Sequence, residues 1–369
     1  MSDAEAWRLG FFDPAETPEY RLMRSNEERF RNFQNEQGKR LGNHFYVIVV
    51  PKTLEMLDVC LAFLPDTLPV FLILNGLEPW EQEFVEKQYK GIPKFTLETG
   101  LGSILFDRVL DMLVECNDSN FGILDQDCFV LDKAYFSKLQ LGNDFAVSPL
   151  VTRNAAANIT FPRTYFLFLN LAEIRRLRDK YRVSFKRCWT LPANLEDPLR
   201  SLGLGRHNYP HESLGYFDNF QLIWAVALHE GLTFGRGPSA RRVFGRQSPA
   251  MVHVGAGSDY LNDAFRDSMT SQLARYDDLP QLEKEKFGAA AFAYYAHLLL
   301  FENSLFPELK ERYMPFFAPF GTSREFLNTF RSKLRAGRVK EIDITIRRLR
   351  WARRRRSYRQ LLPGRAKSR

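Results

Sequence analysis

The 369-residue sequence lacks the short motifs that identify several large enzyme classes. It has no GxxxxGK[ST] phosphate loop, and no GxGxxG follows its first predicted strand, which argues against a kinase and a dinucleotide-dependent enzyme. It has only four cysteines, none in a CxxC spacing, so neither a thiolate metal site nor a disulfide scaffold is indicated. Three of them, Cys60, Cys116 and Cys128, lie in apolar segments and are predicted to be reduced core thiols.

Long hydrophobic runs are also missing from the sequence. The longest apolar stretch, residues 289–301, is interrupted by His297 and is shorter than the ~20 residues that a bilayer-spanning helix needs. The first 20 residues are polar and acidic where a secretory signal would carry its apolar core, so no signal peptide is expected. Together with the reduced cysteines, these features predict a cytoplasmic protein.

Basic residues are scarce relative to acidic ones until the end of the chain. Residues 331–369 hold 16 of the 52 Lys/Arg and two of the 44 Asp/Glu, which gives this segment a net charge of +14 and leaves −6 for residues 1–330. With Trp351 and Tyr358 among the arginines, the segment predicts an interfacial helix on an anionic membrane, such as the inner leaflet. A solubilising tail is the alternative, and contact with nucleic acid is less favoured.

The sequence does contain alternating strands and helices. Apolar β-rich runs predict strands at residues 44–51, at 69–76, near Phe95 and at 121–124. Helical periodicity lies between them, with Thr53 and Ser103 as expected N-caps. This alternation predicts a Rossmann-like, mostly parallel sheet, in which ligands bind beyond the carboxyl ends of the strands.

Two carboxylates follow the strand at residues 121–124. Asp125 and Asp127 are one residue apart in FGILDQDCFVL, and charged side chains at the end of a buried strand usually have a partner. Hard oxygen ligands at this spacing suit Mg²⁺ or Mn²⁺. The alternative is a strand-end turn with two solvated carboxylates.

The later segments continue the alternation before the chain becomes helical. A strand running into a basic helix is predicted at residues 163–181, and a helix at 217–231. His253 lies on a short strand before a glycine-rich turn. Beyond residue 270 we expect helices, with 341–346 as the only candidate strand.

The order of these motifs resembles that of GT-A-fold, nucleotide-sugar-dependent glycosyltransferases. The segments that carry the resemblance are YVIVVPKT, VFLILNG, FGILDQDCFVLDK, TYFLFLNLAEIRRL and VHVGAGS, which together span about residues 45–258. The resemblance implies a Rossmann-like three-layer α/β sandwich with a helical C-terminal region. It implies domains at 45–265 (transferase), 266–346 (helical) and 347–369 (basic tail), after an N-terminal extension at 1–44.

The resemblance also implies roles for particular residues. Asp127 is the firmer ligand for Mn²⁺ or Mg²⁺, Asp125 faces the metal or the ribose, and His253 is a further metal ligand, although a strand histidine without a ligand is the alternative. Asp218 is implied as the base that deprotonates the acceptor, with Glu212 as a competitor. Asp218-Asn219 departs from the acidic pair common in inverting members, and Asp218 could equally be an N-cap. The residues expected to contact the nucleotide are Pro51, Lys52, Asn75, Arg108, Asp125 and Gly255, although turn or solvated positions are the default for Lys52, Asn75 and Arg108.

The implied activity is glycosyl transfer, of the hexosyltransferase type, from a nucleotide-sugar to a glycan or glycolipid of bacterial type, such as a surface polysaccharide or lipopolysaccharide core. One alternative is a sugar-nucleotide pyrophosphorylase, which is disfavoured because VVPKTLEMLDV lacks a glycine-rich basic loop. The other is a non-catalytic lipid- or nucleic-acid-binding protein with this fold.

Overall fold

A computed structural model describes twelve stretches of the chain. These are residues 18–37, 44–100, 104–149, 151–154, 158–186, 193–204, 220–236, 242–243, 246–247, 251–255, 271–317 and 321–360. The chain forms two compact units, each assembled from separate stretches of sequence. Unit one comprises residues 1–48, 67–125 and 136–239, and unit two comprises residues 49–66, 126–135 and 240–369.

Unit one is organised around a seven-stranded sheet in the order β10-β6-β9-β4-β1-β2-β3. Its strands are β1 (His44–Val49), β2 (Val70–Leu74), β3 (Lys94–Thr96), β4 (Phe121–Asp125), β6 (Ala146–Val147), β9 (Phe166–Leu169) and β10 (Phe234–Gly235). β1 pairs in parallel with β4, as do β2 with β3 and β6 with β10, whereas β9 runs antiparallel to β4 and β6. The predicted mostly parallel sheet is therefore confirmed, with β9 as an antiparallel strand.

β1 and β2 are fully buried, and their sequences are largely continuous apolar runs, which is typical of strands covered on both faces. Where β1 pairs with β4, the Phe45 ring lies directly over Gly122. A Cβ atom at position 122 would lie 2.1 Å from a carbon of that ring, so glycine is required there. The same ring packs against Phe136, Phe166 and Phe168.

Six helices in the described part of the chain have all their residues in unit one. They are α1 (Pro18–Glu36), α3 (Pro79–Gln88), α4 (Phe106–Cys116), α6 (Leu171–Tyr181), α7 (Glu196–Ser201) and α8 (Gln221–His229). A capping box between Glu78 and Glu81 starts α3, and the Asn170 side chain caps α6. Two hairpin strands, β7 (Val151–Asn154) and β8 (Ile159–Pro162), were not predicted.

Unit two is mainly helical among its described residues. Its helices are α2 (Leu54–Phe63), α9 (Gln281–Glu302), α10 (Pro307–Phe317), α11 (Ser323–Phe330) and α12 (Ala336–Gln360), and the short helix α5 (Ala134–Ser137) adjoins it. Two antiparallel ribbons complete it, β5 (Cys128–Val130) with β13 (Met251–His253) and β11 (Arg242–Val243) with β12 (Arg246–Gln247). No helix in the described stretches is both long and apolar enough to cross a bilayer.

Three local expectations need correction or fall outside the described residues. Residues 341–346 are helical, because Ile342, Ile346 and Leu349 are buried at helical spacing although the isoleucines also alternate as in a strand. Thr53 does precede α2, but its hydroxyl donates to the Val50 carbonyl at 2.6 Å and forms no cap. Ser103 lies outside the described residues.

The predicted state of the cysteines is confirmed. Cys60, Cys116 and Cys128 are all free thiols and all buried. Burial raises the pKa of Cys116 to about 12, so this thiol is protonated at neutral pH. A buried, protonated thiol behaves as a small apolar side chain in the core.

Candidate metal site

Asp125 and Asp127 lie on either side of a tight turn that ends the central strand of unit one. Asp125 is the last residue of β4, and its amide donates to the Tyr165 carbonyl at 3.0 Å. Gln126 and Asp127 form the turn, and β5 begins at Cys128. Because one residue separates them, the two carboxylates are neighbours by chain connectivity.

The ribbon of β5 and β13 brings His253 to Asp127. Cys128 faces His253 in the antiparallel register, so the end of β13 lies beside the start of β5. The pairing continues one residue further, where the Val254 amide donates to the Asp127 carbonyl at 3.0 Å. The sequence pattern placed His253 on a strand, but the partner strand could not be read from it.

The Asp127 carboxylate is held by both of its oxygens. Oδ2 accepts a hydrogen bond of 2.9 Å from the Gly255 amide, and Oδ1 lies 3.3 Å from His253 Nε2. The residue is only 6% exposed, so a carboxylate here requires such partners. Its orientation is thus fixed by contacts within unit two.

The three predicted ligands lie close together. One ligand atom from each of Asp125, Asp127 and His253 lies within 4.8 Å of the other two. At metal–ligand distances of roughly 2.1 Å, adjacent octahedral ligands are ~3.0 Å apart and opposite ones ~4.2 Å. The 3.3 Å between Asp127 Oδ1 and His253 Nε2 lies within that range, so these two carboxylates and one imidazole are a candidate ligand set for a divalent cation.

Gly255 is suited to its position for two reasons. Its φ of +74° is a left-handed conformation that glycine adopts without strain. An added Cβ atom would also lie 3.3 Å from Cε1 of the His253 ring. The predicted close backbone approach at this turn is consistent with both features, although a nucleotide contact there stays a prediction; Gly257 lies outside the described residues.

Two of the predicted nucleotide-contacting residues have clear structural partners. Asn75 is buried, and its amide pairs with the backbone of Ile104 through two hydrogen bonds of 2.8 Å. Lys52 follows Pro51 in the turn after β1, has a φ of +64°, and places its ammonium 5.0 Å from the centre of the Phe316 ring. Nucleotide contacts by Pro51, Lys52 and Asn75 therefore remain predictions.

Arg108 lies in the first turn of α4, near a carboxyl group in the same helix. Burial raises the pKa of Asp111 to about 6, and the positive charges of Arg178 and Arg108 partly oppose that rise. The positive charge of Arg108 therefore acts on Asp111 in the same helix, and a nucleotide contact by Arg108 stays a prediction. Asp218 and Glu212, the two predicted bases, lie outside the described residues.

Sequence reasoning missed one residue beside the metal cluster. Arg338, near the start of α12, donates to the carbonyls of His253 and Val254 at 2.5 and 3.2 Å. It belongs to the basic C-terminal segment, whose composition suggested a surface function. No local pattern distinguishes it from the other arginines there, because its contact joins residues 85 positions apart.

Part of the first half of the chain is similar to a glycosyltransferase domain. Residues 20–174 match the family model of the StrH glycosyltransferase N-terminal domain. The chain is also 33% identical, over 89 residues, to the dTDP-dihydrostreptose--streptidine-6-phosphate dihydrostreptosyltransferase of Streptomyces griseus. That match covers 24% of this chain, and the chain spans about a fifth (22%) of the length of that curated relative.

Solved structures of the glycosyltransferase GlyE from Streptococcus pneumoniae TIGR4 align with parts of the chain as well. The alignment with one of these structures covers 37% of this chain and 38% of the GlyE chain, at 14% sequence identity and with a TM-score of 0.26. The apo-form structure covers 38% of this chain and 39% of its own at 15% identity, with a TM-score of 0.25.

Proposed function

We propose that this protein transfers a sugar from a nucleotide-sugar donor to a hydroxyl group, with a divalent cation bound by Asp125, Asp127 and His253. The observation that carries the proposal is the arrangement of Asp127, whose two oxygens face His253 and the Gly255 amide. The match of residues 20–174 to a glycosyltransferase domain supports this activity over nucleotidyl transfer. A GT-A-type arrangement of the donor is part of the proposal.

In the proposed reaction the acceptor oxygen attacks the anomeric carbon and the bond from that carbon to the diphosphate breaks. The nucleoside diphosphate leaves with the bonding electrons, and the acceptor proton passes to a base. When bound, the cation neutralises the charge that develops on the diphosphate. Asp125 and Asp127 supply the anionic oxygens that hold the cation, and the His253 imidazole supplies a nitrogen. Asp218, or Glu212, is proposed as the base.

The donor and acceptor classes can be narrowed for testing. The name of the Streptomyces griseus relative describes a dTDP-sugar donor, so thymidine nucleotides belong in the test beside uridine, guanosine and cytidine nucleotides. The same name describes a small phosphorylated acceptor. We therefore propose testing a soluble hydroxyl acceptor alongside the glycan or glycolipid acceptor that the sequence suggests.

The test is a thermal-shift screen of dTDP, UDP, GDP and CMP with their sugars, with and without Mn²⁺, followed by a transfer assay with the best donor. We expect a metal-dependent rise in unfolding temperature for one nucleotide class. Asp127→Asn should abolish that rise, because an amide cannot supply the negative charge of the carboxylate ligand. The asparagine side chain can still accept the hydrogen bond from the Gly255 amide. Its ligand-free unfolding temperature should stay close to that of the wild type.

A matched control is Asp132→Asn, five residues further along the chain. The Asp132 side chain accepts a hydrogen bond of 3.1 Å from the Ala134 amide, a role that asparagine retains. This variant should keep the full metal-dependent shift. An unchanged metal-dependent rise in Asp127→Asn would contradict the proposed metal site. A wild-type protein that shows no rise in unfolding temperature and transfers no sugar would contradict the proposed activity.

We also propose that the outer face of α12 contacts an anionic membrane, which would bring a lipid-linked acceptor within reach from the cytoplasmic side. Arg347, Arg350 and Trp351 are exposed at helical spacing, and the Trp351 side chain is 57% exposed. An exposed aromatic ring flanked by arginines suits the boundary between headgroups and acyl chains. Each basic residue near such a surface contributes about 1 kcal/mol to binding.

Vesicle sedimentation tests this surface with the full chain. Anionic phosphatidylglycerol vesicles should retain the wild type, and the triple variant Arg347→Ala/Arg350→Ala/Trp351→Ala should bind at least tenfold less. The control is Arg331→Ala/Arg335→Ala, which removes two exposed charges of the same sign before α12 begins. Equal loss of vesicle binding in both variants would show that net charge alone causes the binding. No loss of vesicle binding in either variant would contradict the proposed membrane-binding surface.

A further inference from the structure

We propose that Arg338 is a positioning residue for the candidate metal site, which it serves by fixing the backbone of the turn that carries His253. This inference rests on the proposed function, because it assigns a role toward the same cation. Two of its hydrogen bonds go to the main chain at and beside one of the three ligands, His253.

The contact is made through one nitrogen of the guanidinium group. Arg338 Nη2 donates to the His253 carbonyl at 2.5 Å and to the Val254 carbonyl at 3.2 Å. Hydrogen bonds from a charged donor are shorter and about twice as strong as neutral ones. The two carbonyls are successive, so the contact restrains the backbone at the point where β13 ends.

The guanidinium group is itself restrained from two sides. Its central carbon lies 4.4 Å from the centre of the Phe292 ring on α9, within the range of a cation–π contact. Nη1 lies 3.6 Å from the Glu341 carboxylate, one turn further along α12. The side chain is only 35% exposed. A planar guanidinium stacked on a ring presents its donors in a fixed direction, which a lysine ammonium does not.

Arg338 completes a clamp on the turn. The amides of Val254 and Gly255 donate to the backbone and side chain of Asp127, while the carbonyls of His253 and Val254 accept from Arg338. Without Arg338, the clamp keeps only the hydrogen bonds that the Val254 and Gly255 amides donate to Asp127. Residues that orient metal ligands in this way typically change metal affinity by 10–100-fold when removed.

The experiment compares Arg338→Ala, Arg338→Gln and Arg338→Lys with the wild type in the full chain. Mn²⁺ affinity is measured by electron paramagnetic resonance with saturating nucleoside diphosphate from the thermal-shift screen. Arg338→Ala should weaken Mn²⁺ binding by about tenfold, and Arg338→Gln should weaken it less. Arg338→Lys retains the charge and covers the case in which the alanine variant fails to fold, and it should also bind Mn²⁺ more weakly than the wild type.

A second measurement does not depend on the metal. Hydrogen–deuterium exchange in peptides that cover residues 251–255 reports the amides of Val254 and Gly255, which Asp127 protects. These peptides should exchange faster in Arg338→Ala, while the peptides of unit one keep their rates. The matched control is Lys340→Ala, which removes an exposed positive charge from the same helix and should change neither measurement.

The outcomes separate this inference from the proposed function. Wild-type Mn²⁺ affinity and unchanged exchange in both Arg338→Ala and Arg338→Lys would overturn the role of Arg338 while leaving the metal site intact. A wild-type protein that binds no Mn²⁺ with any nucleotide would overturn the proposed function and with it this role. Equal loss of affinity in Lys340→Ala would show a general effect of helix charge and would also overturn it.

Discussion

Apolar packing joins neighbouring strands in unit one, whereas charged contacts join segments of unit two that are remote in sequence. In unit one, Phe45 covers Gly122 across the β1–β4 pair. In unit two, the Glu55 carboxylate meets His297 Nδ1 in a fully buried pair, 242 positions apart in sequence. Arg353 bonds Asp58 over 295 positions.

This difference shows which parts of the molecule depend on chain order. In unit one, the pairs of β1 with β4 and of β2 with β3 follow from alternating strand and helix segments along about the first third of the sequence. The pairs in unit two form only after residues from both ends of the chain have come together, because loops of more than 240 residues must close first. The candidate metal site combines both kinds of contact, since Asp127 follows a central strand and His253 arrives from 126 residues away.

The largest effect is expected from Glu55→Ala in unit two. Removing one partner of a buried pair leaves the other in an apolar environment, so the free energy of unfolding should fall by about 3 kcal/mol. Glu55→Gln retains an acceptor for His297 and should lose less. Denaturant unfolding measures both, and equal stability of Glu55→Ala and wild type would break the comparison on the side of unit two.

A smaller loss is expected from Gly122→Ala in unit one. The added Cβ atom must displace the Phe45 ring, a form of overpacking that costs about 2 kcal/mol. The double variant Gly122→Ala/Phe45→Leu should recover part of that loss relative to the sum of the single variants, because the smaller side chain relieves the overlap. Strictly additive losses in the cycle would show that the ring does not determine the requirement for glycine.

The smallest effect, and one that depends on pH, is expected at a surface cluster of unit one. Hydrogen bonds from Lys180 and Tyr181 lower the pKa of Glu230 to about 2, against an ordinary value of 4.5. A carboxylate with a lowered pKa stabilises the folded state above pH 4.5 and loses that contribution as the pH falls toward 2. Glu230→Gln should therefore lower the unfolding temperature at pH 7 by a few degrees at most.

The same variant should differ progressively less from the wild type between pH 4.5 and pH 3. A series of thermal unfolding curves at fixed ionic strength measures this convergence. A constant difference across that range would show that packing, rather than ionisation of Glu230, stabilises the cluster. This surface of unit one would then be stabilised by packing, as the sheet of unit one is.

Much of the sheet was predictable because its information is local. Continuous apolar runs fix β1, β2 and β4, and the Asp125-Gln126-Asp127 turn follows directly from the end of one of them. The antiparallel β9 was predicted as a strand, but its direction was not, because direction depends on which neighbour it pairs with. The β5 strand escaped notice because it has three residues and continues an apolar run across the turn.

The basic segment illustrates what composition cannot tell. Counting charges suggested one exposed surface, yet several of its arginines bond specific carbonyl or side-chain acceptors in unit two. Arg348 donates to the Leu131 carbonyl, and Arg353 contacts Asp58 and the Asn303 carbonyl. Arg338 reaches the metal turn. Which arginines face inward depends on the helix partner, and no sequence period marks it.

Because Cys128 pairs with His253 across the β5–β13 ribbon, alkylation of the Cys128 thiol reports how often the candidate metal site opens. The Cys128 thiol is fully buried, so an alkylating reagent can reach it only when the β5–β13 ribbon separates. Cys116 offers the same readout for unit one, where its raised pKa further slows reaction. The ratio of the two alkylation rates, followed by mass spectrometry, thus compares the opening kinetics of the ligand turn with those of the sheet without any introduced label.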